Sequence, residues 1–348
     1  MGGEGEVAVQ LALVGLLCGA LLGGASRVTD FCSLGALETA MLGRDFRRLH
    51  IWAVALGVAI VGSQIGVRAG FVDLQRTIYH SVIWNPVASI SGGLVFGYGM
   101  ALAGNCGFGA AVKAGSGDIR SFILLGVIGV SSYVTLSGPL APLRIAIFPQ
   151  WEETEPNGFG VAVGKMTGMP ADFLGLLLGL AFILWGMTRP AISRSPAAIC
   201  GSVGVGLAVA LSLIGTSVIQ DNSAAAIYVE GPAFTAPVGR TILYVMTSTG
   251  TAPSYSVGAV FGTILGAFIV CFFRGELYWE SCDDVREFGR QLCGAALMGA
   301  GGAIAAGCTI GQGLTATATL SWSGPVTLLA ICAGAYVGLQ QLVAQAEP

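Results

Sequence analysis

Two cysteines stand at matching places in two similar glycine-rich segments of the chain. Residues 92–111 read GGLVFGYGMALAGNCGFGAA, and residues 294–313 read GAALMGAGGAIAAGCTIGQG. A shift of 202 positions aligns Cys106 with Cys308 and keeps several small residues in register with identical ones, namely Gly92, Gly97, Gly99, Ala101, Ala103 and Gly109. Two related halves that each contain a broken apolar helix are typical of a membrane transporter whose substrate site lies where the breaks meet.

The position of these cysteines indicates what their chemistry could be. A cysteine between two half-helices lies at the N-terminus of the second, where free N–H groups and the helix dipole favour negative charge. It could act as a thiolate or sit beside a bound anion, or it could be a small residue that lets the break pack. Recurrence at the matching position favours a functional role for both Cys106 and Cys308. Cys32 is a third candidate, because the polar stretch 26–36 places it at the start of another short helix.

Four further residues beside the two breaks could contact an anion. The Asn105 amide could bind an oxyanion or cap the half-helix. Gly107 offers a backbone N–H group, and Thr309 offers a hydroxyl donor. The Gln312 amide could line a conduit or bridge the two breaks.

The remaining polar residues favour other roles. Arg27, Lys113 and Arg120 could draw an anion toward the breaks, but basic residues near helix ends commonly anchor in the membrane interface. His50 and His80 lie at loop edges, where we expect them to be solvated.

The other cysteines form no recognisable metal or redox motif. The chain has nine cysteines but neither a CxxC pair nor a Cys/His cluster, so we predict no zinc site, no disulfide scaffold and no cofactor. Those in apolar runs are expected to be small packing residues, and they are Cys18, Cys200, Cys271 and Cys332.

The composition predicts an all-α polytopic membrane protein, with lipid around it. Fifty-four percent of residues are hydrophobic and only 10% are charged, and the mean hydropathy is +0.78. Such a chain cannot form a water-soluble surface, and it lacks the alternating strands of a membrane barrel. A net charge of -3 without a basic tract argues against nucleic acid as a partner.

The apolar runs predict where the chain crosses the membrane. Full spans are predicted at 7–25, 51–70, 119–137, 171–187, 197–217, 254–273 and 323–345. Shorter helical pieces, discontinuous or re-entrant, are predicted at 33–42, 91–104, 107–116, 288–306 and 309–319.

Residues 1–348 are expected to form one transmembrane domain with two pseudo-symmetric halves around a central conduit. The first half covers about 1–148 and the second about 171–348, and a polar connection at 149–170 joins them. A second polar stretch at 219–240 could dip into the membrane. Basic clusters at 44–50, 189–194 and 274–290 would face the cytoplasm.

Three blocks of the chain resemble the YeeE/YedE family of bacterial membrane sulfur-transport proteins. They are GCTIGQGLTATATLS at 307–321, GGLVFGYGMALAGNCGFGAAVKAGSGDIRS at 92–121, and SRVTDFCSLGALETAMLGRDFRRL at 26–49. The blocks fall in the first, middle and last parts of the chain, so the resemblance covers essentially its whole length.

The resemblance implies a multi-pass protein of the bacterial inner membrane that imports thiosulfate. It implies that three cysteines along a narrow central path, here Cys32, Cys106 and Cys308, pass the ion inward. It also implies a small cytoplasmic TusA-like sulfurtransferase as a partner. One departure is Asn105, since the family often has glycine before this cysteine. Some relatives are associated with selenium, so the chalcogen stays open.

Neutral thiols suit such a path better than thiolates. The terminal sulfur of thiosulfate could accept weak S–H hydrogen bonds, whereas thiolates would repel the dianion. Each contact must also be weak enough for the ion to leave. On this view the protein is not an enzyme. The alternatives are a membrane thiol oxidoreductase, which would want a paired CxxC or a cofactor site, and a channel for another small sulfur or selenium compound or a neutral solute.

Overall fold

The computed structural model describes residues 2–41, 43–149, 158–223, 228–278 and 285–346. Within these ranges every regular element is helical, and strand-like pairing occurs only as isolated bridges, such as the one between Thr77 and Val229. The all-α prediction is therefore confirmed.

Sixteen helices follow one another along the described chain. The first eight are α1 (Gly2–Thr29), α2 (Ser33–Met41), α3 (Arg47–Arg68), α4 (Ile78–Ser81), α5 (Pro86–Ala103), α6 (Gly107–Gly115), α7 (Ile119–Leu136) and α8 (Ala141–Ile147). The others are α9 (Phe159–Thr167), α10 (Ala171–Met187), α11 (Pro190–Ser193), α12 (Pro196–Asp221), α13 (Ala236–Thr247), α14 (Tyr255–Arg274), α15 (Val285–Ile304) and α16 (Ser323–Ala346).

Two further pieces complete the description. A 3₁₀ turn covers Leu74–Arg76, and residues 309–318 form a short helix around the π-helical turn Gly311–Ala316. We call residues 309–318 the π segment. Each predicted span and each predicted shorter piece corresponds to one of these elements, with ends that differ by a few residues.

Seven helical stretches, or eight if α9 and α10 are one bent span, are long and apolar enough to cross a membrane. Two of them are interrupted spans, because Gly5–Met41 contains the junction of α1 and α2 and Pro86–Gly115 contains the junction of α5 and α6. Large apolar side chains such as Leu17, Leu184 and Leu329 stay exposed on the outside, where lipid would cover them. The protein is a multi-pass membrane protein.

A close crossing of α5 and α15 lies at the centre of the packing. A Cβ added at Gly99 would lie 2.6 Å from the Gly294 carbonyl oxygen, and one added at Gly294 would lie 2.6 Å from that of Gly99. Gly92 and Gly301 face each other in the same reciprocal way at 2.7 Å. The repeated glycines therefore let two helix backbones touch, as small residues do in membrane helix pairs.

The other helices pack around this crossing in matched pairs. Helix α1 packs on α14 while α12 packs on α3, and α5 packs on α16 while α15 packs on α7. Likewise α2 packs on α3 while α13 packs on α14, and α6 packs on α14 while the π segment packs on α3. Each contact named here becomes the other member of its pair when six elements of the first half are exchanged for six of the second. The elements α1, α2, α3, α5, α6 and α7 correspond, in this order, to α12, α13, α14, α15, the π segment and α16.

The predicted polar connection at 149–170 contains a helix. Its residues 150–157 lie outside the described part of the chain, whereas α9 covers Phe159–Thr167 and meets α10 at an angle of 109°. The Phe159 N–H donates to the Leu320 carbonyl at 3.0 Å, and the Phe159 ring contacts Trp322 edge-on. The end of the connection is therefore packed against the turn before α16.

The prediction that the two histidines are solvated is wrong. His50 is only 4% exposed and His80 only 5%. The His50 ring stacks on Trp185 and its Nδ1 lies 2.7 Å from the Phe46 carbonyl. His80 Nε2 lies 2.9 Å from the Thr319 carbonyl. Both occupy loop edges, but neighbouring helices cover those edges and carbonyl oxygens satisfy the rings.

The glycines at helix contacts predict a contrast between two substitutions. A Cβ at Gly97 in α5 would overlap the Ile331 carbonyl of α16, whereas a Cβ at Gly126 in α7 meets nothing within 4 Å. Gly97→Ala should therefore lower the thermal midpoint of the detergent-purified protein, because overpacking reduces the free energy of unfolding by about 1–3 kcal/mol. Gly126→Ala should leave the midpoint unchanged or raise it, since alanine favours a helix by roughly 0.5–1 kcal/mol over glycine. Equal midpoints for the two variants would contradict this packing.

Candidate functional site

The three candidate cysteines occupy the same structural position, the residue that caps the N-terminus of a short helix. The carbonyls of Cys32, Cys106 and Cys308 accept the backbone N–H four residues later, at 2.9, 2.8 and 2.8 Å. Their sulfurs accept the N–H three residues later, at 3.4, 3.3 and 3.4 Å. Each sulfur therefore satisfies one of the N–H groups that a helix start leaves without a partner.

Capping alone does not account for the choice of cysteine. Serine, threonine, aspartate and asparagine are the residues that cap helices best, and a sulfur is a weak acceptor. Since one lone pair of each sulfur is engaged by the helix, the S–H hydrogen is what each thiol can offer to a ligand. The arrangement suits a thiol that donates to a soft acceptor.

The three thiols lie close together. The Cys106 thiol is near enough to both Cys32 and Cys308 to interact electrostatically with them. Cys106 and Cys308 are fully buried, whereas Cys32 is half-buried. The Cys308 sulfur accepts a second N–H, from Phe234, at 3.2 Å.

Predicted polar residues surround the Cys106 and Cys308 thiols with unused hydrogen-bonding atoms. Asn105 Oδ1 accepts the Cys106 N–H at 3.0 Å, while its Nδ2 is buried without a partner among the described residues. The Thr309 hydroxyl lies beside the Cys106 thiol and is also buried without a hydrogen-bond partner in the part of the chain described. A buried donor without a hydrogen bond lowers the stability of a protein by about 1–3 kcal/mol. Both groups are therefore candidates for contact with a ligand.

Gln312 and Gly107 have structural roles in the same place. The Gln312 amide nitrogen donates to the carbonyls of Ala305 and Ala306 at 2.8 and 3.1 Å. These bonds satisfy carbonyl groups at the C-terminal end of α15, so the amide nitrogen stays within its own break and does not join the two breaks. The Gln312 Oε1 is buried without a partner among the described residues. A Cβ at Gly107 would lie 2.6 Å from the Phe234 carbonyl, so glycine lets the chain before α13 approach α6.

A chamber of about 400 Å³ opens on one side of the thiols. Its lining includes Cys32 and Asn105, with basic Arg27, Arg48 and Lys113 and acidic Asp30 and Glu38. We call it the Cys32 chamber. Three basic against two acidic side chains leave it net positive, which attracts anions. Arg27 is held at its edge, since its Nε donates to the Cys271 sulfur at 3.0 Å and its Nη2 pairs with Glu276 at 3.4 Å.

A second chamber of about 310 Å³ lies at the C-terminal end of α15, as the first lies at that of α5. The two helices run antiparallel, since Gly99 faces Gly294 and Gly92 faces Gly301, so the chambers lie at opposite ends of the crossing. The lining of the second chamber includes Tyr79, Arg144, Glu230, Thr235, Arg240 and Gly307. We call it the Arg240 chamber. Arg240 pairs with Glu230 at 3.2 Å, and Arg144 has a buried Nε without a partner among the described residues. Two basic side chains against one acidic one again leave net positive charge.

The thiol group therefore separates two chambers that both favour anions. Asn105, which precedes Cys106, lines the Cys32 chamber, and Gly307, which precedes Cys308, lines the Arg240 chamber. Such an arrangement suits an anion transporter. In a comparison with known proteins, residues 28–337 match the model of the sulphur transport family. The chain belongs to the sulphur transport family. The family resemblance of the three sequence blocks is thereby confirmed.

Two curated relatives align with nearly the whole chain. A protein of Escherichia coli (strain K12) named thiosulfate transporter TsuA is 26% identical over 338 residues, which cover 94% of this chain and 93% of the relative. A protein of the same name from Spirochaeta thermophila is 25% identical over 322 residues, which cover 89% of this chain and 92% of the relative. This chain is thus similar to proteins named as transporters over nearly its whole length, which disfavours the oxidoreductase alternative.

Sequence reasoning misses a row of aromatic rings that follows the thiols. Ring centres of Trp52 and Phe31 are 5.6 Å apart, those of Phe31 and Phe108 are 6.4 Å apart, and those of Phe108 and Phe234 are 5.0 Å apart. Phe31 and Phe108 lie within two residues of a candidate cysteine, which is a usable signal. Phe234 is far from any cysteine in sequence, and only the predicted dip of the 219–240 stretch points toward it.

The remaining candidates take separate places. Arg120 lies 3.7 Å from Glu287 and does not line the Cys32 chamber, unlike Arg27 and Lys113. Among the cysteines expected to be packing residues, Cys18 and Cys271 are buried, Cys332 is half-buried and Cys200 is exposed on the outer face of α12. Cys282 lies outside the described residues.

The capping geometry predicts how Cys308 substitutions affect stability. Cys308→Ala should lower the thermal midpoint, because the N–H groups of Gly311 and Phe234 lose their acceptor at a cost of about 1–3 kcal/mol each. Cys308→Ser should recover most of that loss, since a hydroxyl oxygen can take both hydrogen bonds. Differential scanning fluorimetry of the three purified proteins checks the order. A serine variant as unstable as the alanine variant would argue against a capping role.

Proposed function

We propose that this protein imports thiosulfate through a path lined by Cys32, Cys106 and Cys308. The observation that carries the proposal is that three helix-capping thiols stand together between two net-positive chambers. Membership of the sulphur transport family and similarity to two proteins named thiosulfate transporters support the substrate class.

The chemistry of thiosulfate matches the groups around the thiols. Its anionic oxygens suit N–H and O–H donors, such as the Asn105 amide and the Thr309 hydroxyl. Its terminal sulfur is soft and weakly hydrated, and it can accept a hydrogen bond from a neutral thiol. Three weak S–H contacts in series let the ion move on from each one, which a single tight site would prevent. Neutral thiols also avoid the repulsion that thiolates would exert on a dianion.

The order of contacts follows from the position of each thiol. We place Cys308 toward the Arg240 chamber, Cys106 in the middle, and Cys32 toward the Cys32 chamber. We also propose that the Cys32 chamber faces the cytoplasm, because the basic clusters gather at that face. Arg27 pairs with Glu276 near the 274–290 cluster, and His50 stacks on Trp185 near the 189–194 cluster. Basic residues concentrate on the cytoplasmic side of inner-membrane proteins.

The two-half arrangement is part of the proposal. Residues about 1–148 and about 171–348 would be the halves, joined through 149–170. The matched helix contacts and the reciprocal glycine contacts of α5 and α15 support it. Each half then contributes one broken helix, and the breaks at Cys106 and Cys308 meet at the path.

We propose the bacterial inner membrane as the location and a small TusA-like sulfurtransferase as a cytoplasmic partner. A carrier whose thiolate takes the terminal sulfur of thiosulfate as a persulfide, with release of sulfite, would consume the ion at the Cys32 chamber and keep transport directed inward. Co-purification of such a protein with the wild type, but not with an Arg48→Glu variant at the chamber edge, would support docking there. Equal recovery with both would place the docking surface elsewhere.

Single cysteine substitutions test the path. Cys32→Ser, Cys106→Ser and Cys308→Ser should each reduce uptake of radiolabelled thiosulfate into proteoliposomes to near background, because serine keeps the helix cap but offers a harder donor. Cys200→Ser should transport like the wild type, since Cys200 lies on the outer face and lines neither chamber. Retained uptake in all three path variants would remove the thiols from the mechanism.

The proposed orientation predicts the location of the C-terminus. Helix α16 contacts α2, and the Gln341 side chain near its end accepts from Tyr98 at 2.7 Å in the later part of α5, so α16 ends at the face of the Cys32 chamber. A green fluorescent protein fused after the last residue should therefore fluoresce in cells, while an alkaline phosphatase fusion there should be inactive. The reverse pattern would invert the proposed direction of the path.

A further inference from the structure

The floor of the Arg240 chamber is closed by groups that do not line it. Ala233 and Thr235 line the chamber, as do Ala306 and Gly307, but Phe234 and Cys308 between and beside them do not. Phe234 and Cys308 are both fully buried. Cys308, the first thiol of the proposed path, is thus separated from the chamber, although the residues next to it and next to Phe234 line that chamber.

Phe234 occupies the place that corresponds to Cys32. The shift of 202 residues that aligns Cys106 with Cys308 also aligns Cys32 with Phe234. Each stands just before a short helix, α2 or α13, that packs on the matching long helix. Where one end of the thiol group has a half-buried thiol open to a chamber, the other end has a phenylalanine ring. That ring packs against Phe108 at 5.0 Å, beside the Cys106 break.

The backbone that carries Phe234 is tied at several points. The Val229 N–H donates to the Arg76 carbonyl at 3.0 Å, and the Pro232 carbonyl accepts from Thr315 at 3.0 Å. The Glu230 carboxylate is held by Arg240 and Ser256. Because the main chain is fixed by these bonds before the ring and continues into α13 after it, the side chain of Phe234 is the part that can move without loss of these bonds.

We propose that Phe234, closed against Phe108, is the gate between the Arg240 chamber and Cys308, and that it sets selectivity for a weakly hydrated sulfur end. This inference rests on the proposed path but assigns a role to a residue that has no thiol and no polar side chain. An apolar constriction excludes water and strongly hydrated ions. An ion that presents a soft sulfur first can pass such a ring with little loss of hydration, whereas sulfate presents only hydrated oxygens.

Thiol accessibility tests the gate without reference to transport. The purified full-length protein is treated with N-ethylmaleimide, and the labelling rate of Cys308 is followed by peptide mass spectrometry. Phe234→Ala should raise that rate by about tenfold or more, which equals a change of about 1.4 kcal/mol in the free energy of opening. Phe96→Ala is the matched control, because Phe96 is equally buried in α5 and lines neither chamber.

The outcomes separate the gate from the transport proposal. A rise at Cys308 in Phe234→Ala but not in Phe96→Ala supports the gate even if no variant transports thiosulfate. No rise, or equal rises in both, overturns it. If Phe234→Ala does not fold, Phe234→Leu removes the ring but keeps apolar volume, and it is judged by the same rates. In proteoliposomes the open gate should also reduce the preference for thiosulfate over sulfate, and an unchanged preference would overturn the selectivity role.

Discussion

The backbone contact between α5 and α15 is the constraint on which the rest of the structure depends. Gly92, Gly99, Gly294 and Gly301 leave no side chain between the two helices, so their axes come closer than ordinary residues permit. Both helices end in a break that carries a cysteine. The crossing therefore fixes where each break begins relative to the other.

The glycines and the cysteines are thus two parts of one arrangement. In hydrocarbon, a chain can leave the helical conformation only where protein covers it or where a cavity hydrates it. Here the π segment and α6 cover the breaks, and the capping sulfurs and the Gln312 amide satisfy N–H and C=O groups that the breaks expose. Polar backbone is thus accommodated inside an apolar protein, and Asn105, Thr309 and Gln312 beside these breaks each keep one buried side-chain atom without a partner among the described residues.

Much of the fold follows from sequence, because a long apolar run bounded by charges can cross a bilayer only with its backbone hydrogen bonds satisfied, which here means as a helix. The positions of α5, α6, α15 and the π segment were predictable because glycines and a cysteine recur at one spacing. The surroundings of the site were less predictable. The Phe234 N–H reaches the Cys308 sulfur from the turn before α13, 74 residues away in sequence, and the carbonyl that His80 contacts is 239 residues away. Contacts of this kind leave no local pattern.

The capping role of the three cysteines has a consequence for how such a protein tolerates mutation. At Cys32, Cys106 and Cys308 the helix N-terminus requires only a small side chain that accepts a hydrogen bond. Several residues cap a helix as well as cysteine does or better. Folding therefore does not require sulfur at these positions, and on the proposed path it is selection for the transported ion that keeps sulfur there. In a lineage that no longer needed the ion, the thiols would drift to serine or asparagine while the protein stayed abundant and well folded.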